Sequence, residues 1–479
     1  MKIAMIASEA VPFAKTGGLA DVLGTLTPAL EALGHQMILI IPAYRCALRS
    51  EFPLQESQIN ISVPLAKRQE NATVLQTVIG KAVSVYLVRA DRYFDRDYLY
   101  GAPNRDYPDN AERFTFFSRA ALEILRTHPV DIIHAHDWQA ALAIVFLKAQ
   151  TVRYPELAAT KTLLTIHNLG FQGLFDSSEW QLLNLDDAFF APQYLEFYGR
   201  INFLKGGLLF ADKLTTVSPT YAQEIMTAEQ GFGLEGVVRQ RANDLVGILN
   251  GVDYDQWNPW TDPYLKRHQG DNNLTVKENC KKHMLRMLDL PEMPNTPVLA
   301  MISRLTAQKG LDLVESVFDR LMVRPLQFVL LGSGDARYGD YFRAAAARYP
   351  SRVAARIGFD ERLAHQIEAG ADLFLMPSLY EPCGLNQMFS LKYGTIPIVR
   401  AVGGLKDSVE NYDGASAAGT GFVFDKYDSL AMLDAIDRGL SAYRDKSTWS
   451  ALQSRAMAMD FSWDRSAVAY SDLYRQLAH

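Results

Sequence analysis

Short apolar runs, each closed by polar or glycine-rich residues, alternate with helical patterns along this chain, and the alternation occurs twice. "KIAMIAS" leads to "LADVLGTLTPALEALGHQ", whose apolar spacing is helical and which ends at Gly34 as a C-terminal cap. "MILIIP" then reads as a buried strand stopped by Pro42. "VDIIHAHD", "WQAALAIVFLKAQ", "KTLLTIHN" and "LKGGLLFADKLTTVSP" continue the series. Strand and helix at this spacing imply a parallel sheet covered by helices on both faces. After "LVGILNGVDYDQWNPWTDP" the alternation restarts with "PVLAMISRL", "LQFVLLGSGD", "RVAARIGF", "ADLFLMPS" and "TIPIVRA". A chain of 479 residues exceeds what one core fills. The expected fold class is α/β, with two doubly wound, Rossmann-like domains at 1–250 and 251–455. The amphipathic segment 456–479 is expected to be a helix packing back toward the first domain. Ligands of such sheets gather at the carboxyl ends of the strands, so two facing domains predict a deep ligand cleft between them.

Composition narrows the function classes. Lys and Arg total 48 against 54 Asp and Glu, a formal charge of 48 − 54 = −6 without long runs of one sign. A nucleic-acid groove needs clustered cations, so nucleic acid is not an expected partner. Cys46, Cys280 and Cys383 are widely separated and form no CxxC, which argues against a disulfide framework and fits a reducing compartment. The N-terminus opens like a signal peptide, but Ser8 and Glu9 interrupt its apolar run too soon. No apolar stretch reaches bilayer-spanning length, and no membrane partner is expected. The reading is a soluble, cytoplasmic protein whose first strand starts at residue 2.

The polar residues at the strand ends carry the chemistry. In "KTGGLADV", Gly17 and Gly18 allow close backbone approach with N–H groups aimed outward at a helix N-terminus, and Lys15 can reach a phosphate. The order is not the Walker one, in which lysine follows the glycines, and an ordinary glycine turn beside a solvated lysine accounts for it equally well. A matching GGL step returns in "AVGGLKDSV", as the glycine-rich turn of the second domain. "SRLTAQKGLDLV" puts Arg304 at a strand end and Lys309 at the next helix start, a pair able to share the charge of a diphosphate. Standing alone, the same two residues would read as a salt-bridged arginine and a surface lysine.

Gly332 and Gly334 in "LLGSGDARY" suit a nucleotide as a strand-to-helix turn, as any short glycine loop does. In "MPSLYEPCGLNQMFSLKYG", Glu381 is expected to project into the cleft, and the Gly384 and Leu385 amides to open a helix N-terminus. Cys383 has no base marked nearby and reads as buried and inert. "HAHDW" ends a strand with His134, His136 and Asp137. The H-x-H-x-D-H metal spacing is absent because Gln139 stands two after Asp137, so hydrogen-bonding roles are preferred to a metal site. His167 and Asn168 in "TIHNLGFQG" stand where groups contact a polar ligand.

Taken in order, KTGGLADV, HAHDW, TIHNLGFQG, "NGVDYDQWNP", SRLTAQKG and YEPCGLNQ resemble the bacterial glycogen synthase and plant starch synthase family over nearly the whole chain. The resemblance implies a GT-B fold and retaining transfer of glucose from ADP-glucose to the non-reducing end of an α-1,4-glucan. It implies no metal and no other cofactor, with ADP-glucose and the glucan as partners. On the family's pattern Lys15 binds the sugar nucleotide, with Gly18 beside the phosphates and Gly17 and Asp21 in the same motif. Arg304 and Lys309 hold the diphosphate, His167 contacts the glucose, and Glu381 is essential. Asp137 lies at the acceptor side, and Asn250 belongs to the NGVD turn. Asn168, Gly332, Gly334, Cys383, Gly384 and Leu385 complete the expected binding set.

The wider superfamily of retaining transferases carries E-x7-E, and here the second position is Phe389, as in the narrower branch, which lacks that acid. Arg92 stands where the family often has proline, which leaves the role of Tyr93 open. A glucan phosphorylase would need a cofactor-bearing lysine where Phe389 stands. A glucan-binding or granule-priming protein with weak transferase activity is the alternative. It would be expected to have lost some of Lys15, Arg304, Lys309 or Glu381, and all four are present.

Overall fold

A computed structural model describes residues 1–50, 52–102, 105–265 and 273–478. They divide into two compact units, Met1–Gly251 with Trp463–His479, and Val252–Ser462.

The first unit contains β1 (Lys2–Ile6), β2 (Gln36–Pro42), β3 (Gln55–Leu65), β4 (Arg68–Ile79) and β5 (Val83–Arg89). A short hairpin, β6 (Gly101–Ala102) and β7 (Arg105–Asp106), precedes β8 (Ile132–His136) and β9 (Lys161–Ile166). β10 (Leu174–Asp176), β11 (Glu196–Phe197) and β12 (Arg200–Asn202) form a separate antiparallel ribbon, and β13 (Lys213–Thr216) and β14 (Leu245–Gly247) follow. The main sheet runs β14-β13-β9-β8-β1-β2-β5-β4-β3. From β14 to β5 every neighbour is parallel, and the apolar run Ile3–Ile6 is fully buried because helices cover both faces there.

The expectation of a wholly parallel sheet needs correcting at the far edge. β4 pairs antiparallel with both β5 and β3. Only Ala66, at φ 52°, and Lys67 separate β3 from β4, and so short a connection can only fold back as a hairpin. The alternation in β3, buried at Ile61, Val63 and Leu65 with exposed Ser62 and half-buried Pro64 between, is that of a strand with one wet face.

The first unit's core joins Ile3, Met5, Leu39 and Ile41 of the sheet to Leu23, Leu26 and Leu30 of the Gly18–Ala32 helix. Trp463, Tyr470 and Tyr474 complete it from the helix Trp463–Ala478. The segment expected as one helix over 456–479 is in fact broken. The Lys446–Met457 helix ends first, and the Ser462 N–H donates to the Asp460 carboxylate at 2.8 Å. A bridge between Val252 and Ser462 then breaks the helical hydrogen bonding before Trp463 starts the last helix.

The second unit contains β15 (Val298–Leu305), β16 (Gln327–Gly334), β17 (Val353–Ile357), β18 (Leu373–Met376), β19 (Ile396–Arg400) and β20 (Phe422–Phe424). All are parallel, in the order β17-β16-β15-β18-β19-β20. Five of these match the apolar runs in the sequence, whereas β20, three residues long, gives too short a run to read. Among the described residues no helix is long and apolar enough to cross a membrane.

Tyr474 ties the last helix to the sheet, its buried hydroxyl 2.8 Å from Nδ1 of His134 on β8. Replacing Tyr474 by Phe removes that partner and leaves the ring nitrogen unpaired. A loss of about 1–3 kcal/mol in urea-induced unfolding is expected.

Candidate active site

β9, β8 and β1 are parallel neighbours, so their carboxyl ends line one edge of the first sheet. The loop after β1 is organised by Glu9, which is buried. Its carboxylate accepts the backbone N–H groups of Thr16 and Gly17, at 2.5 and 3.3 Å, and the hydroxyls of Thr16 and Tyr100, at 3.0 and 2.8 Å. Desolvation pushes the Glu9 pKa up, and these hydrogen bonds oppose the shift. The Gly17 amide is thus turned toward a side chain of its own loop. The expectation that this N–H faces a ligand is corrected: a buried carboxylate needs donors, and the nearest were these. Gly18 opens the helix Gly18–Ala32, and Lys15, partly exposed, pairs with Asp21 at 2.7 Å.

β8 delivers its histidines and the aspartate together. Asp137 begins the helix Asp137–Ala149 with φ 55°, left-handed backbone that side chains other than glycine seldom adopt. Its carboxylate accepts the His167 N–H at 2.7 Å and also the Asn168 N–H. Burial pushes the Asp137 pKa up to about 7, against those hydrogen bonds. His167 Nε2 lies 3.0 Å from His136 Nδ1, and the His134 ring lies against His136 with centroids 4.1 Å apart. Burial drives His134 and His167 down to about 3, and His136 well below its ordinary value. All three rings are therefore neutral at ordinary pH. Asn168 accepts the Gly170 N–H at 2.9 Å, closing the turn after β9. Asn250 is buried at the end of the first unit, with its side-chain oxygen unpartnered among the described residues.

In the second unit, β16, β15 and β18 are adjacent and parallel. Arg304 lies next to the end of β15, partly paired by Gln308 at 3.3 Å. Lys309 closes the tight turn Ala307–Lys309; the helix Leu311–Ser316 starts only after Gly310, which corrects its expected place at a helix start. Gly310 has φ 71°, and a Cβ there would lie 2.1 Å from the Pro377 carbonyl oxygen. That close approach presses the turn after β15 against the end of β18. Lys309 Nζ thereby donates to Glu381 Oε2 at 2.6 Å, and the Ser378 hydroxyl donates to the same oxygen at 2.9 Å. Glu381 is 6% exposed and ion-paired, as a buried carboxylate needs a partner for its charge.

The glycines of this unit are explained largely by backbone packing. Gly332 and Gly334 were expected in a turn, but they are the end of β16, and Cβ atoms there would meet Ser303 and Leu305 carbonyl oxygens at 2.1 and 2.5 Å. Gly403, at φ 41°, passes so close that a Cβ would lie 2.0 Å from the Glu381 carbonyl oxygen. The Gly404 N–H donates to the Glu381 and Pro382 carbonyls at 3.2 and 3.1 Å. The second GGL step therefore supports the Glu381 loop from below. Gly384, at φ 71°, and Leu385 lead into the helix Asn386–Lys392, and Cys383 is buried between them and Glu381. Phe389 stacks flat on Trp257, ring centroids 4.0 Å apart. No group of three or more His, Cys, Asp or Glu side chains that could hold a metal occurs among the described residues.

With this geometry in place, comparison with known proteins identifies the family. Residues 2–240 match the starch synthase catalytic domain, and residues 289–451 match glycosyl transferases group 1. Glycogen synthase of Koribacter versatilis (strain Ellin345) is 48% identical over 477 residues, 99% of this chain and 98% of that protein. This chain belongs to the glycogen and starch synthase family. Glycogen synthase of Anaeromyxobacter sp. (strain Fw109-5) is 49% identical, over 100% of both chains. The catalytic domain of starch synthase IV from Arabidopsis thaliana, solved bound to ADP and acarbose, is 35% identical with a TM-score of 0.91, covering 99% of each chain. Glycogen and starch synthases are glucan-elongating glycosyltransferases of GT-B fold, and this chain is one of them.

Sequence reasoning missed Glu9 and Tyr100, whose contacts organise the loop after β1. A carboxylate directly after a buried strand was the available signal for Glu9; nothing local marks Tyr100, which arrives 91 residues later. The titration of Asp137 gives a test. Its folded-state pKa is raised, so the folded protein holds that proton more tightly than the unfolded chain between the ordinary value of 3.8 and about 7. Thermal melts should show wild type losing stability relative to Asp137→Asn as pH rises through that window, with the difference constant above it.

Proposed function

We propose that the chain transfers glucose from ADP-glucose to the non-reducing-end 4-hydroxyl of an α-1,4-glucan, with retention at the anomeric carbon and without a metal. The likeness to a starch synthase solved with ADP and acarbose supports the choice of donor and acceptor. The observation in this chain that carries the reading is Lys309, fixed at 2.6 Å from buried Glu381 beyond the ends of adjacent strands, with Arg304 next to the end of β15, just ahead of that turn. Two cations held at such a place suit a diphosphate leaving group.

In this reading the C1–phosphate oxygen bond breaks with its electron pair passing to ADP. In the second unit Arg304 and Lys309, with the Gly332–Gly334 strand end, stabilise the charge that develops there; in the first unit Lys15, at the Gly18 helix start, binds the sugar nucleotide. The acceptor hydroxyl approaches C1 from the face the phosphate leaves, forms the new bond, and gives its proton to the departing phosphate oxygen. His167 positions the glucose and Asn168 follows it, while Asp137 fixes their backbone on the acceptor side and Asn250 lies at the end of the unit. Glu381 acts electrostatically. One of its oxygens already takes Lys309 and Ser378, which leaves it poorly placed as a nucleophile. Phe389 stands where a second acid would be.

Lys309→Ala and Glu381→Ala are each expected to lower kcat about a hundredfold or more, since preorganised charge is usually the largest catalytic term. Labelled ADP-glucose and UDP-glucose, offered with glycogen and short maltooligosaccharides, test donor and acceptor. Equal use of UDP-glucose would refute the donor assignment. Mass spectrometry under turnover should find no glucosyl adduct, and one trapped on any carboxylate would end the same-side mechanism.

A further inference from the structure

The structure assigns to His136 a role as the positioning residue that fixes the tautomer of His167. We propose that it holds His167 in the Nδ1–H form, so that the exposed edge of that ring presents a donor and not an acceptor.

The argument starts from a count of hydrogens. His136 Nδ1 and His167 Nε2 are 3.0 Å apart, and a single hydrogen lies between them. Burial keeps both rings neutral, so each carries one N–H. His136 Nε2 is buried and has no partner among the described residues. Were its hydrogen on Nε2, an N–H would be buried unpaired. With the hydrogen on Nδ1, only a lone pair goes unmet. Orphaned buried donors are the rarer and costlier of the two. The hydrogen therefore sits on His136 Nδ1 and is donated to His167 Nε2. A neutral His167 must then carry its own hydrogen on Nδ1.

The His136 ring is held in this pose. A half-turn would put a carbon where Nδ1 stands and lose the bond to His167. His134 packs against one face with ring centroids 4.1 Å apart. That ring is itself fixed at both nitrogens, by the Tyr474 hydroxyl at 2.8 Å and the Thr165 hydroxyl at 2.6 Å. His167 Nδ1 has no partner among the described residues, and the residue is only partly buried. A neutral donor there can meet a sugar oxygen without placing positive charge beside an anomeric centre that is itself becoming positive. This last consequence rests on the proposed contact between His167 and glucose; the tautomer assignment does not.

Nitrogen-15 spectra of the whole chain labelled at its histidine rings test the assignment, with the His167 signals identified by their loss in His167→Gln. In wild type, His167 is expected to show a pyrrole-type Nδ1 and a pyridine-type Nε2 at neutral pH. The reverse pattern would overturn the proposal, and this readout requires no variant of His136. His136→Asn places a carboxamide N–H near the old Nδ1 and should keep both the pattern and most of the activity. His136→Asp offers only an acceptor and should move the His167 hydrogen to Nε2. His136→Leu should lower kcat about 10- to 100-fold, the usual effect of losing a group that orients a site residue. An unchanged pattern in His136→Asp would overturn the control by His136. If the spectra behave as expected while all three variants keep full activity, the tautomer control stands and the placement of His167 at the sugar fails.

Discussion

A parallel strand cannot turn back on its neighbour; the chain must cross over through a helix, and every crossover returns it to the same starting edge. All the carboxyl ends therefore collect along the opposite edge, and the chemistry of this protein is a consequence. β8 and β9 are adjacent, about 4.8 Å apart as paired strands are, so His136 and His167 meet at their ends. β15 and β18 are likewise adjacent, and Lys309 meets Glu381 a few residues beyond them. Two pairs far apart in sequence are brought near one another by strand adjacency, and the turns beyond the strands, at Gly310 above all, complete the contact.

The two edges solve the burial of polar groups in opposite ways. In the first unit desolvation prevails: three histidines lose their charge, and Asp137 holds its proton to about pH 7 although two backbone donors face it. In the second unit a cation and a carboxylate share one place, with a hydroxyl completing the shell of Glu381. Removing one member of such a pair leaves the other charged and unmatched, which is more disruptive than never having had either. The first arrangement suits groups that orient a neutral sugar, and the second suits groups that answer a charge appearing during reaction.

The alternation of apolar runs and helical patterns was enough to read two doubly wound sheets, because strands buried on both faces must be continuously apolar. The same criterion failed for β3 and β4, whose one wet face dilutes the apolar signal, and for β20, which is too short to show any. Charged residues at strand ends, Lys309 and Glu381 among them, were legible because polar groups following a buried strand have few structural reasons to be there. Their pairing was not, since it depends on Gly310 letting two loops touch. Glycine was the least transparent residue. Gly332 and Gly334 read as a turn suited to a nucleotide and Gly403 as part of a glycine-rich turn, and each is a place where one stretch of main chain crosses close over another. Glu9 went unread for the converse reason: its partners, Thr16, Gly17 and Tyr100, are an assembly made by folding rather than by spacing.

The helix Trp463–Ala478 belongs to the first unit although all of Val252–Ser462 precedes it in the chain. During synthesis, then, the second unit has its complete set of strands before the first can bury Trp463, Tyr470 and Tyr474. Until those aromatic rings emerge, one side of the older sheet lacks its cover, and the Tyr474 hydroxyl is not yet there to meet His134. The contact between Tyr474 and His134 can therefore form only after all of Val252–Ser462 has been made.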